Sequence, residues 1–184
     1  MRSYRLSLIV PLALVVLGVA GCGSNSTSKT EAEVYLTGTM QPGPADVDMA
    51  TSGDVAIQTF IINSHAKSPS AVLSQQDDVM LDHWVVTCTR TDGGTVASPQ
   101  WTNFESAYVP AGGSITLSNY RIFPAEYFSQ PPLNQLLVYP FLDKETSNSN
   151  IRQKLHLAIY GKTVAGKSVS LEFDLNLNFF YTHS

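Results

Sequence analysis

The sequence predicts an all-β fold, an antiparallel sandwich of about seven strands. First, Val169, Leu171, Phe173, Leu175, Leu177 and Phe179 alternate with Ser170, Glu172, Asp174, Asn176 and Asn178. A strand puts such an apolar set on one face, whereas a helix would scatter it round the axis. Second, apolar runs of strand length recur between turn-rich segments such as Gln41-Pro42-Gly43-Pro44, Asp92-Gly93-Gly94 and Ala111-Gly112-Gly113. Third, no apolar pattern is long enough for a layer of helices.

In chain order the predicted strands are Glu33–Met40, Val55–Asn63, Val79–Arg90, Ser114–Arg121 and Gln135–Phe141. A long hairpin over 154–180 supplies the last two, because Leu155, Leu157 and Ile159 alternate with Lys154, His156 and Ala158, and Ala165-Gly166 makes the turn. The prolines of Pro124-Ala-Glu-Tyr-Phe-Ser-Gln-Pro-Pro132 forbid a central strand. That segment is expected to form one helical turn and a crossover between sheets. Strand number and C-terminal hairpin make the pattern similar to small immunoglobulin-like lipoproteins of bacterial envelopes. It departs from true immunoglobulin domains, where a cysteine pair brackets a core tryptophan. Here Trp84 precedes Cys88 by four residues on the same strand face.

Ahead of the domain, Arg2 and Arg5 precede a run from Leu6 to Ala20 that is apolar except for Ser7 and Gly18, and small residues then lead to Cys22. This is a three-part export signal over residues 1–21. A membrane-spanning helix needs roughly 20 apolar residues, and the unbroken stretch Leu8–Ala20 is shorter and contains Pro11. Val19-Ala20-Gly21-Cys22 resembles the lipobox of bacterial lipoproteins, with Val19 where leucine is commonest. The resemblance implies cleavage between Gly21 and Cys22 and acylation of Cys22. Each acyl CH₂ buried in the membrane contributes about 0.8 kcal/mol. Gly23 stands where aspartate favours inner-membrane retention, which implies the outer membrane of a two-membrane cell. Ordinary cleavage that leaves Cys22 a free thiol is the alternative. Gly23–Thr30 is small and polar, and reads as a flexible tether of at most about 28 Å between residue 22 and a domain over 33–184.

Loss of Arg2 and Arg5 with the signal leaves 9 basic against 15 acidic residues, a net charge of −6. Nucleic acid and anionic lipid surfaces are thereby disfavoured as partners on electrostatic grounds. With Cys22 acylated, Cys88 has no partner within the chain, and a buried structural thiol is the expected role.

The four histidines, His65, His83, His156 and His183, occupy no spaced metal motif, and no cofactor motif is present. His83 and His156 fall on the polar phases of their strands. Asp46 and Asp48, with Asp54 nearby, form a weak calcium candidate, since carboxylates two apart can face one way. The other reading is solvated loop charge, as for Asp77, Asp78 and Asp82. Ser64-His65 follows a strand, but adjacent strand residues point to opposite faces. No nucleophile motif is found.

The aromatic residues suggest a binding surface. Trp101, Phe104, Tyr108, Tyr127 and Phe128 lie where alternation fails, near Tyr120 and Phe123, so they either present stiff apolar area to a ligand or cap the open ends of the sandwich. The expectation is a non-enzymatic, membrane-anchored envelope module that binds or helps assemble something, with a protein partner preferred to a glycan. An uncharacterised envelope hydrolase or a glycan-binding lipoprotein is the alternative.

Overall fold

The computed structural model describes residues 27–41 and 45–183. The export signal, Cys22 and the first residues after it lie outside the described residues.

The chain is an all-β sandwich of two packed sheets. Its strands are β1 (Thr27–Thr30), β2 (Val34–Gln41), β3 (Asp46–Asp48), β4 (Val55–Ala66), β5 (Val79–Arg90), β6 (Trp101–Asn103), β7 (Ala107–Val109), β8 (Ser114–Phe123), β9 (Asn150–Thr163) and β10 (Ser168–Phe180). The larger sheet runs β1-β10-β9-β5-β6, with β3 also on β10 and β7 also on β5, and the smaller runs β2-β4-β8. All pairings are antiparallel except β3 with β10. The main strands β2, β4 and β8 thus form one layer of the sandwich, and β5, β9 and β10 form the other.

The alternation read in the last strand is the buried face of β10, where Val169, Leu171, Phe173 and Phe179 are at most 2% exposed. The centre of the sandwich is aromatic rather than disulfide-bonded. Trp84 of β5 stacks on Tyr120 of β8 with centroids 3.8 Å apart, while Phe60 of β4 stands edge-on to both Trp84 and Phe173. Gly38 of β2 makes this packing possible, because a Cβ there would lie 2.3 Å from Phe173 Cζ.

Three expectations need correction. Gln135–Phe141 is no strand: Leu133–Leu137 forms a 3₁₀ turn. Leu133 and Leu136 are both buried, and their spacing of three fits that helix, whereas a strand would bury every second residue. Thr27–Thr30 belongs to the sheet instead of the tether, pairing with Val169–Glu172 at the edge of β10. Its gain is backbone pairing, reinforced by the Ser28 hydroxyl, which donates to the Ser170 carbonyl and accepts from the Leu36 amide, so apolar patterning gives no sign of it. Finally, the described residues hold ten strands, because β1, β3, β6 and β7 are too short to display a period.

The long connection from β8 to β9 crosses between the sheets and is pinned by buried charge. Arg90 reaches Asp92 at 2.8 Å and Asp143 at 2.7 Å, all three side chains being almost wholly buried. Gly94 stands where any Cβ would strike the Arg90 guanidinium. Among the described residues no helix is long and apolar enough to cross a membrane.

Candidate functional site

The outward face of the larger sheet carries side chains of the kind normally buried. Met80 of β5 sits opposite Tyr108 of β7, and the two are 44% and 47% exposed. Next along β5, His83 pairs with Tyr160 of β9. Their rings stack with centroids 4.9 Å apart, and Phe104, 81% exposed, lies 6.1 Å from His83.

A β-bulge creates this arrangement. Pairing passes from Leu81 with Gly161 to His83 with Tyr160, so Asp82 is left over. Gly161 is required beneath it, because a Cβ there would lie 2.5 Å from the Met80 carbonyl oxygen. Neighbours on a regular strand face apart, but the bulge lets the Asp82 carboxylate meet His83 Nδ1. Beside the stacked pair lies a cleft of about 480 Å³, lined by Lys29, Asp82, His83, Tyr160, Lys162, Ser168 and Ser170 among others. Among the described residues no serine, threonine or cysteine is hydrogen-bonded to His83, so the Asp82–His83 dyad has no bonded nucleophile.

Tyr108 is fixed from below, its hydroxyl donating to Asp78, which also accepts the Ala111 amide at 2.7 Å. These bonds, Tyr108's first, hold the Asp78 carboxyl below its ordinary range. Asp77, by contrast, caps the 3₁₀ turn Gln75–Asp77 together with Ser74. The acidic group Asp77, Asp78 and Asp82 therefore divides among three separate contacts.

Of the five aromatics singled out by sequence, only Phe104 and Tyr108 reach this face. Phe128 is buried against Phe123 and Phe179. Trp101 is half-buried under the Arg121 guanidinium at 5.2 Å. Tyr127 stands edge-on to Phe123 and donates to the Gln100 carbonyl at 3.3 Å. These three close an end of the sandwich, with Tyr120 and Phe123 beneath them in the core. Sequence reading placed His83 on the solvated face of its strand but missed Met80 and Tyr160 as its neighbours there. The available signal was phase, since Met80 and Tyr160 fall on the outward beat of well-patterned strands.

The remaining candidates are dispersed. Asp46 accepts from Asn178, Asp48 from the Ala50 and Thr182 amides, and Asp54 from Arg121 and the Ala125 amide. Among the described residues no three histidine, cysteine or acidic side chains group closely enough to hold a metal ion. Ser64 is buried while His65 points outward, bonded to the Thr37 hydroxyl at 2.9 Å and stacked on Tyr35. His156 meets Asp174 at 2.8 Å, a hydrogen bond that leads the causes lowering the Asp174 carboxyl. Burial pushes the Cys88 thiol up to about 12, so it stays protonated at neutral pH.

Fold and site together define a β-sandwich domain with an aromatic, half-open sheet face. The chain matches no protein-family model and no curated protein.

Proposed function

We propose that this chain is an exported bacterial lipoprotein, acylated at Cys22 and held to the outer membrane, whose sandwich serves as a non-enzymatic module for binding or assembly. The observation that carries the binding role is the run of Met80, Tyr108, His83, Tyr160 and Phe104 on one sheet face. Large, stiff apolar side chains left in water on a rigid sheet are what a protein partner uses as anchors. A protein is favoured over a glycan because His83 and Tyr160 each give up one ring face to the other, leaving less flat aromatic surface for a sugar to stack upon. The anchor is supported by the basic start, apolar run and Val19-Ala20-Gly21-Cys22.

Two experiments test the two halves. Cys22→Ser should release the protein from membranes or leave it unprocessed. Tight membrane association of a correctly cleaved Cys22→Ser protein would sink the anchor. A photo-crosslinking side chain at Phe104 should capture a protein in the native envelope, whereas one at Thr116, outward on the smaller sheet, should not. Equal yields from both positions would remove the sheet face from consideration. Turnover of generic esters or glycosides that disappears on His83→Ala would favour the hydrolase alternative, for which the Asp82–His83 contact is the motivating feature.

A further inference from the structure

The connection between β8 and β9 exposes apolar side chains that the sheet face does not use. Val138 is 66% exposed, Tyr139 83% and Leu142 37%, with Pro140 in the open between them. From Tyr127 to Leu142 no side chain carries a charge. The segment is held in place. Asp143, directly after it, is locked to Arg90, the Phe141 amide donates to the Val138 carbonyl at 2.7 Å, and the Phe141 ring packs on His183 with centroids 3.9 Å apart. Phe141 keeps a φ of 62°, which a bulky residue adopts only when its surroundings hold it there. Exposed apolar groups of this kind meet either another protein or a membrane.

Where the chain joins the sheet favours the membrane. Thr27 of β1 pairs with Glu172 and Thr30 with Val169, so the N-terminal end of β1 points along the outer edge of β10 toward Phe180. Phe141 packs on His183, just beyond that end of β10. Cys22 precedes Thr27 by five residues, a stretch that spans at most about 18 Å. Resting on the reading of Cys22 as acylated, this keeps the bilayer within about 18 Å of Thr27 on the β10 edge, with the chain leading toward the end of β10 beyond which Phe141 packs on His183. We propose that Val138, Tyr139 and Leu142 insert into the headgroup boundary of the bilayer that holds Cys22, forming a second membrane contact that sets the orientation of the domain. Tyrosine suits that boundary, with an apolar ring and a wet hydroxyl. Lys144 follows closely enough to extend its ammonium to lipid phosphates.

The test uses the processed full-length protein in phosphatidylethanolamine vesicles, with a nitroxide attached at Tyr139→Cys or, separately, at Val72→Cys. Val72 is 95% exposed and follows β4 at the opposite end of the sandwich. The label at 139 should collide severalfold more often with oxygen, relative to an aqueous nickel complex, than the label at 72. Equal, aqueous accessibility at both positions on membrane-bound protein would overturn the contact and leave the anchor standing. An immobile label at 139 shielded from both reagents would mean a protein partner there, and would also overturn it. A lipid-phase signal at 139 in protein whose Cys22 carries no acyl mass would overturn the anchor instead and leave the contact standing.

Discussion

Gly38→Ala should destabilise the domain although alanine is one of the smallest changes available. The added Cβ would lie 2.3 Å from Phe173 Cζ and 2.9 Å from Phe60 Cε2, where ordinary contact begins at 3.4 Å. Phe173 has little room to retreat. It is 1% exposed and edge-on to Phe60, which is itself edge-on to Trp84. Forcing a methyl group into a packed core costs about 1–3 kcal/mol. Restricting the unfolded chain by replacing glycine returns about 0.4–1 kcal/mol. The difference spans about 0–2.6 kcal/mol, and the 2.3 Å approach to a ring with no room to move puts the loss in the upper part of that range, about 1–2 kcal/mol, a fall in melting temperature of roughly 2–8 °C for a domain of this size. Urea unfolding followed by tryptophan fluorescence should show a lower midpoint at unchanged slope. With Phe173→Leu already in place, Gly38→Ala should cost about 1 kcal/mol less, because the clashing ring edge is gone. An unchanged or raised midpoint for Gly38→Ala alone would refute the account of the aromatic centre.

Acid should weaken the link between β5 and the long connection. Burial alone would raise the Asp92 carboxyl, but the Arg90 guanidinium and the Arg152 and Gly94 amides outweigh it and hold the group at about 2. Asp143 is lowered too, its burial opposed by Arg90 and Thr146. An aspartate titrates near ~3.9 when unfolded, so this stabilisation is present above about pH 4 and is lost as pH falls toward 2. Thermal midpoints taken through that range should drop less steeply in Asp92→Asn than in the parent, and parallel curves would count against the pair. Among the aromatics, Phe128→Ala should cost about 3–5 kcal/mol as a cavity in the core, whereas Phe104→Ala should stay within about 0.5 kcal/mol. Urea midpoints decide this, and similar losses at both positions would show that Phe104 is part of the packed structure.

The sequence alone determined the sheet-forming strands long enough to repeat a pattern. β10 declares its buried face because side-chain direction in a strand has a period of two, and β5 was bounded at Val79 and Arg90 by the segments flanking it. The apolar run Leu136, Leu137, Val138 and Tyr139 misled, because over so short a span these residues fit a strand as readily as a 3₁₀ turn. Only the packed chain decided which they formed. Tertiary structure alone also decided where β1, β3, β6 and β7 dock, since their stabilisation comes from backbone groups on another strand that local composition does not report. The same holds for the site. Phe104 and Phe128 are chemically identical, and their separation into surface and core depends on which sheet lies beneath each ring. Met80, His83 and Tyr160 come together through strand pairing and a bulge that needs Gly161 on a different strand. A one-dimensional pattern records the direction of a side chain but not its neighbour, and a binding face is made of neighbours.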